Sequence, residues 1–338
     1  MLRFKENVSL KPYNTFGIEA ETKYFYKVSN TIELKKILET NKNIPLRILG
    51  GGSNVLFTED FDGLTLLIAN KGKAVLEETS KTVIVEVQAG ENWHEFVMWC
   101  LNNNYGGIEN LALIPGRVGA TPIQNIGAYG QEISNLIHEV HCFDYISGNF
   151  TKYTNKECKF SYRDSFLKNN NMIIYKVIFK SDNPKLLNLE YQSVKNHIND
   201  NDVNVSKLDL NEVSNVICTI RNKNLPDPTI IPNAGSFFKN AIVIKDEIKT
   251  DIFGLKDLII WDIDDKYSKV GSARLIELIK DKLEPNKNVG LHKSHSLVLV
   301  TNSKASQDDV LNYAYQVKDV VFETFNIMLE IEPKIIIN

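Results

Sequence analysis

The stretch Leu111–Gly130, LALIPGRVGATPIQNIGAYG, constrains this chain more than any other. It holds four glycines and two prolines, and no charge follows Arg117. A core strand would not spend so many positions on Gly and Pro. Those residues instead permit turns with positive φ and let the backbone approach a ligand closely. The side-chain amides of Gln124 and Asn125 can satisfy a ligand rich in donors and acceptors. On the residues alone, the stretch is either a backbone cradle for a large, partly polar cofactor or an ordinary structured loop, because Gly and Pro mark loops generally.

A second glycine cluster stands upstream. The apolar run Leu46–Leu49 leads into Gly50-Gly51-Gly52-Ser53-Asn54 and then Val55-Leu56-Phe57. Three consecutive glycines expose several backbone N–H groups on one side, a nest suited to a pyrophosphate. A flexible hairpin is the competing reading. No GK[ST] follows, so this is no Walker A loop, and no GxGxxG opens a helix, so it is no dinucleotide fingerprint of the Rossmann type.

The rest of the chain reads as alternating helices and strands over 338 residues, enough for two or three domains. Asn30 to Leu38 predicts a helix, with Asn30 as cap and Glu33 at capping-box distance. Asn92 to Leu101 predicts another, its stripe made by Trp93, Phe96, Val97, Cys100 and Leu101, with His94 at the boundary of that stripe. Strands are expected at Leu64–Ala69, Thr82–Ala89, Glu139–Tyr145 and Met172–Lys180. The polar, Asn/Asp-rich residues 181–216 read as an excursion or mobile loop leading to a new domain. Beyond it, strands at Ala241–Lys245, Leu258–Asp262 and Ser296–Val300, a helix near Ser272–Lys280 and a long helix from Ser306 to Phe325 complete an α+β unit, and the tail Leu329–Ile337 reads as a strand.

Some function classes are excluded early. A formal net charge of −3 disfavours a general nucleic-acid binder. No apolar run approaches the roughly 18 to 20 residues of a membrane span, and the first residues, MLRFKENVSL, show no signal-peptide core, so a cytoplasmic protein is expected. Cys100, Cys142, Cys158 and Cys218 have no CxxC spacing and read as ordinary thiols, with no metal site expected. G-x-S-x-G is absent, which disfavours a hydrolase.

Three clusters can carry chemistry. In Phe160-Ser161-Tyr162-Arg163-Asp164-Ser165, the arginine either clamps a carboxylate bidentately or simply pairs with Asp164 at the surface. Arg221, Lys223 and Asn224 precede Leu225-Pro226-Asp227-Pro228, and Asn233-Ala234-Gly235-Ser236-Phe237-Phe238-Lys239-Asn240 presents a hydroxyl at a Gly-Ser turn. Glu332, followed by Pro333 in an apolar strand, is locally inconsistent in the way functional positions often are, or else is a solvent-facing residue on an edge strand.

Taken in order, NTFG (14–17), LGGGSNVLF (49–57), IPGRVGATPIQNIGAYG (114–130), YRDS (162–165), LPDP (225–228), NAGSFFKN (233–240) and IEPKI (331–335) resemble the UDP-N-acetylenolpyruvoylglucosamine reductases. The resemblance spans nearly the whole chain. It implies an α+β architecture: a vanillyl-alcohol-oxidase-like (PCMH-like) FAD-binding fold of two subdomains, 1–65 and 66–216, a C-terminal α+β substrate domain, 217–325, and a terminal strand, 326–338, carrying Glu332. It implies non-covalent FAD held by Gly50, Gly51, Gly52, Ser53 and Asn54 at the pyrophosphate. Ile114, Pro115, Gly116, Gly119, Ala120, Thr121, Gln124, Asn125, Gly127, Ala128, Tyr129 and Gly130 would hold the rest.

By the same resemblance, NADPH is the co-substrate and UDP-N-acetylglucosamine enolpyruvate the substrate, reduced at its C=C bond on the way to peptidoglycan. Arg163 and Glu332 would stabilise the enolate-like charge and Ser236 would supply the proton. Tyr191, Arg221, Lys223, Lys239, Asn240 and His295 would contact the substrate. The length of 181–216, with Tyr191, matches the subtype that has a substrate-covering loop. The family often has Lys where this chain has Asn224, with Lys223 one residue away, and some members have Gln where His295 stands. The implied state is a monomer without nucleic-acid or membrane partners.

Two other readings compete. Oxidases of the same fold often tether flavin through His or Cys near the glycine loop, and neither residue lies near Gly50–Asn54. A nucleotide-sugar binding module without activity would have no reason to combine a flavin cradle with Arg163, Ser236 and Glu332.

Overall fold

Local sequence sets where the long helices begin. In the computed structural model of the chain, which describes residues 3–169, 171–182 and 186–337, the Asn30 side chain accepts the Glu33 N–H at 2.9 Å and starts the helix Thr31–Thr40. Asn92 accepts the Glu95 N–H at 3.0 Å and starts Trp93–Asn102, whose buried stripe is Trp93, Phe96, Val97, Cys100 and Leu101. Ser306 accepts the Asp309 N–H at 3.1 Å while the Asp309 carboxylate accepts the Ser306 N–H at 2.9 Å. This reciprocal box satisfies two donors that the first turn of Gln307–Phe325 leaves without helical partners.

The chain parts into two compact units. The first comprises residues up to Val8, Thr22–Gly51 and Asp62–Lys223. It contains a four-stranded sheet in the order Lys5–Ser9, Glu21–Val28, Phe61–Ile68, Leu46–Leu49. The last two strands run parallel, in register from Leu46 opposite Leu64 to Leu49 opposite Leu67. A five-stranded antiparallel sheet follows the order Asn149–Thr154, Ile137–Asp144, Met172–Asp182, Thr82–Gln88, Lys73–Glu78. Alternation explains the inner strand Thr82–Gln88: Val83, Val85 and Val87 are buried and join the core built on Trp93 and Phe96, while the residues between them are partly exposed.

Residues 186–223 also belong to this unit. Where the sequence reads as an excursion, the structure has two helices, Gln192–Asp200 and Leu210–Asn224. Val194 and Ile198, one turn apart, bury on the core, as do Val213, Val216, Ile217 and Ile220. The polar majority of this stretch faces water and masks that narrow stripe. Residues 183–185 of the expected excursion lie outside the described residues.

The second unit is assembled from Ser9–Glu21, Gly52–Phe61 and Asn224–Asn338. One three-stranded sheet has the order Asn233–Ser236, His295–Thr301, Val289–His292, and another has the order Ala241–Ile244, Tyr267–Val270, Ile260–Asp262. The expected terminal strand is shorter than the apolar run suggests. Only Lys334–Ile336 forms a ladder, parallel to Val55–Phe57. Phe16 meets Phe237 edge to face at 5.9 Å, and the Thr301 hydroxyl donates to the Phe16 carbonyl at 2.8 Å. Among the described residues no helix is long and apolar enough to cross a membrane.

Candidate active site

The glycine loop follows directly from the end of the strand Leu46–Leu49. Among the described residues, no acceptor takes the backbone N–H of Gly50, Gly51 or Gly52. Consecutive unpaired N–H donors suit an anion such as a pyrophosphate. Sterics demand glycine at two of these positions. A Cβ on Gly51 would stand 2.7 Å from the Gly116 Cα, and one on Gly52, at φ +64, would stand 1.9 Å from the Tyr13 carbonyl oxygen. The Gly52 carbonyl also accepts the Thr15 N–H at 3.0 Å, tying NTFG to the loop. Ser53 and Asn54 are partly buried, and the Asn54 carbonyl accepts the Lys334 N–H at 3.0 Å.

The cradle is a run of tight turns. Leu113, Asn125 and Tyr129 hold φ of +57, +43 and +49, and Arg163 holds +53. Non-glycine residues in this region cost energy and tend to mark functional sites. Gly116, at φ +127, backs Gly51, and Gly119 lies so close to Ala89 that a Cβ would meet Ala89 Cβ at 2.5 Å. Thr121 is buried and donates to the Val118 carbonyl at 2.8 Å. Ile114 and Gln124 are partly buried, whereas Pro115 and Ala120 are exposed.

The side chain of Asn125, by contrast, turns inward. It is 1% exposed, donates to Glu132 at 2.9 Å and to the Ser161 carbonyl at 3.1 Å, and accepts the Ser134 N–H at 3.0 Å. Its amide holds protein together, and its backbone N–H goes to the Pro122 carbonyl at 3.3 Å, which leaves the Asn125 carbonyl oxygen for a ligand. Through Ser161 it anchors the hairpin of Arg163, where Ser161 and Asp164 bridge. Arg163 Nη2 donates to the Gly127 carbonyl at 2.8 Å, and its guanidinium sits 5.2 Å from the centre of the Tyr162 ring. The arginine therefore faces the short ladder Gly127–Ala128 of the cradle. Asp164 pairs with Lys168 at 3.4 Å.

A second cation reaches the same cradle. Arg221 Nη2 donates to the Leu113 carbonyl at 3.3 Å, and Tyr129 lies within its electrostatic reach. Burial pulls its pKa down and pushes that of Tyr129 up. The Tyr191 ring stands edge to face on Tyr129 at 5.5 Å. Gly130, at φ +78, gives its carbonyl to the Asn188 amide at 3.1 Å, and Asn110 donates to the carbonyls of both Tyr129 and Asn188 at 2.8 Å. Lys223 is exposed.

The sequence places His94 at the boundary of its helix stripe, and it is half-buried there, with a contact the sequence does not show. Its Nδ1 accepts the Leu113 N–H at 3.2 Å, pinning the strained residue whose carbonyl holds Arg221. Nothing local in the sequence signals a contact made across that separation.

In the second unit, Gly235 at φ +72 turns the chain into Ser236, which is opposite Val298 in the ladder. The next residue gives its carbonyl to the Glu332 N–H at 2.9 Å, and Phe238 bridges Ile331. Ser236 and Glu332 are thus on facing backbone segments. Lys239 pairs with Glu330, so its charge is offset within the protein. The Asn240 side chain accepts the Ser272 N–H at 3.1 Å at the start of the helix Ser272–Ile279. His295 is half-buried, opposite His292 at the end of the hairpin.

Cys100, Cys142 and Cys158 are buried free thiols, and desolvation raises the pKa of all three, that of Cys158 to about 12. Nucleophilic thiolate chemistry is not their role.

The unpaired N–H groups of the glycine loop and the left-handed turns of the cradle fit a dinucleotide bearing a pyrophosphate. An FAD binding domain family matches residues 22–152, over the strands and cradle just described, and defines the class: an FAD-containing oxidoreductase with a PCMH-like fold. The C-terminal domain of UDP-N-acetylenolpyruvoylglucosamine reductase matches residues 227–336. Proteins bearing that reductase name are 41% identical in Flavobacterium johnsoniae, over 99% of this chain and 100% of the relative, and 37% identical in Pseudomonas putida, over 99% of each. The crystal structure of UDP-N-acetylenolpyruvylglucosamine reductase (MurB) from Thermus caldophilus shares the fold, with a TM-score of 0.65 at 21% identity over 99% of both chains. The chain belongs to the UDP-N-acetylenolpyruvoylglucosamine reductase family.

Proposed function

We infer that this chain reduces UDP-N-acetylglucosamine enolpyruvate to UDP-N-acetylmuramate with NADPH, through bound FAD, in peptidoglycan precursor synthesis. The observation that supports the reading is the Glu332 N–H on the carbonyl of Phe237, the residue after Ser236, which brings the backbone segments of the expected acid and the expected proton donor alongside each other in a chain whose relatives carry that activity in their names.

FAD would be held by Gly50–Asn54 at its pyrophosphate and by the cradle from Ile114 to Gly130. Hydride transfer from NADPH to the methylene carbon is the chemistry the flavin supplies when bound. The protein handles the charge that this creates. Electron density moves to the carbon bearing the carboxylate, and the Arg163 guanidinium and the Glu332 carboxyl group stabilise the resulting enolate-like state. The Ser236 hydroxyl then gives its proton to that carbon and is reprotonated from solvent, completing addition of one hydride and one proton across the double bond.

Arg221, Tyr191 and Lys223 are assigned to the nucleotide diphosphate. Arg221 is the best supported of these, since its guanidinium is desolvated and donates to a neutral acceptor, the Leu113 carbonyl. Lys239 and Asn240 act on the substrate side through the segment they brace, and His295 from its hairpin. Acting on small nucleotide-linked substrates, the protein works as a cytoplasmic monomer without nucleic-acid or membrane partners.

The test is the visible spectrum of the purified protein. Flavin bands that bleach with NADPH and return on adding the enolpyruvyl nucleotide support the reading. A protein whose heat-released supernatant contains no flavin, or whose reduced flavin is not reoxidised by that substrate under anaerobic conditions, refutes it.

A further inference from the structure

Arg117 stands in the middle of the cradle, and none of the roles above uses it. Its Nη1 donates to the Ile68 carbonyl. The parallel register that places Leu49 opposite Leu67 would, one step further, set Gly50 opposite Ile68. The ladder stops at the glycine loop, and the guanidinium takes the carbonyl at its end. A second contact places Arg117 at the same spot, since a Cβ on Gly51 would lie 3.4 Å from the Arg117 backbone nitrogen. Arg117 therefore flanks Gly50 through its side chain and Gly51 through its backbone.

Among the described residues no carboxylate pairs with Arg117. Glu91, whose carbonyl accepts the neighbouring Val118 N–H, commits its carboxylate to the Gly72 N–H at 2.7 Å and to Lys71 at 3.3 Å. Burial alone lowers the Arg117 pKa. A guanidinium carries five donors, and Ile68 engages one group of them. A desolvated cation with donors to spare, beside a row of unpaired backbone N–H groups, is suited to an anion with several oxygens.

We propose that Arg117 is the cationic partner of the FAD pyrophosphate, adding a full positive charge to the backbone donors of Gly50 and Gly51. This rests on reading Gly50–Asn54 as the pyrophosphate loop, and the experiment separates the two claims.

FAD release from holoenzyme is followed by flavin fluorescence through a dilution series at increasing salt, for wild type, R117Q, R117K and G50A. Gln at 117 keeps a donor for Ile68 and removes the charge. Loss of a charged hydrogen-bonding partner should raise the dissociation midpoint roughly 10- to 100-fold at low salt. The gap should close toward about 1 M salt, where the screening length falls to about 3 Å, and R117K should recover much of the loss. In G50A the new Cβ meets only Ala120 Cβ at 3.7 Å, so the fold accommodates it, but it crowds the loop.

R117Q holding FAD as wild type does, with G50A weakened, overturns the proposal and leaves the loop reading standing. R117Q weakened by one constant factor at every salt also overturns it, because that is a contribution to local shape and not charge. Neither variant weakened overturns the loop reading and the proposal together.

Discussion

Replacing Asn125 by alanine should damage the first unit in a way that its place in a glycine-rich loop does not suggest. The side chain is 1% exposed and makes three hydrogen bonds, to Glu132, the Ser161 carbonyl and the Ser134 N–H. Truncation strands the Ser134 donor and the Ser161 acceptor in partly buried surroundings, at about 1–2 kcal/mol each once partial solvent access is allowed for. Alanine must also adopt φ +43, which glycine tolerates freely and alanine at a further cost of about 1–2 kcal/mol. The total is about 3–6 kcal/mol, which for a unit of this size corresponds to a fall in Tm of roughly 6–24 °C.

Differential scanning calorimetry of the holoenzyme measures it, with N125G as the internal control. Glycine loses the same hydrogen bonds but not the backbone term, so N125G should melt above N125A, the reverse of the order expected in a helix or strand. Because Asn125 anchors the hairpin of Arg163, kcat should fall in N125A as well. A Tm for N125A within about 2 °C of wild type, or N125G no more stable than N125A, would refute the reasoning.

Two further perturbations are informative. In Ser236→Ala, NADPH should bleach the flavin at the wild-type rate while reoxidation by the enolpyruvyl nucleotide slows by roughly 10²–10⁴ in stopped-flow absorbance, with partial recovery in Ser236→Cys; reoxidation at the wild-type rate would pass the proton-donor role to Glu332. His94 accepts the Leu113 N–H on Nδ1 and is therefore neutral, with its pKa lowered first by burial and then by Arg221, against a smaller opposing effect of Glu95. A depressed histidine binds fewer protons folded than unfolded, so its stability contribution is complete above the ordinary value of about 6.5 and is lost as pH falls from there through the depressed pKa. The slope of Tm against pH below about 6.5 should flatten in His94→Asn, whose Oδ1 can replace Nδ1, and an unchanged slope would show that another group carries it.

Helix positions were legible because their determinants are local. Asn30, Asn92 and Ser306 each sit three residues before the backbone N–H they accept, a distance that sequence alone specifies. The glycine loop and cradle were legible as backbone-dominated segments for the same reason. What stayed hidden is set by partners far along the chain. The helices at 192–200 and 210–224 bury narrow stripes inside a polar sequence, so periodicity was swamped by composition. The commitments of Asn125 to Ser161, Arg117 to Ile68, and Lys239 to Glu330 depend on folding that brings those residues together, and the sequence marks none of them. The terminal strand was overestimated because an apolar run reports burial, while a ladder needs a partner edge, here only as long as Val55–Phe57.

That last ladder has a consequence for biogenesis. Lys334–Ile336 pairs with Val55–Phe57, and the Ile336 carbonyl accepts from Thr58 across 278 residues of sequence. The short strand and the apolar residues Phe16, Ile18 and Leu56 leave the ribosome long before the rest of their core exists. At about 5–20 residues per second, translation delivers the matching strand roughly 14–60 s later. Through that interval Val55–Phe57 has no partner strand, so this ladder can close only when synthesis is nearly complete. The region after Asn224, expressed by itself, would lack both the neighbouring strand and part of the apolar interior that the full chain gives it.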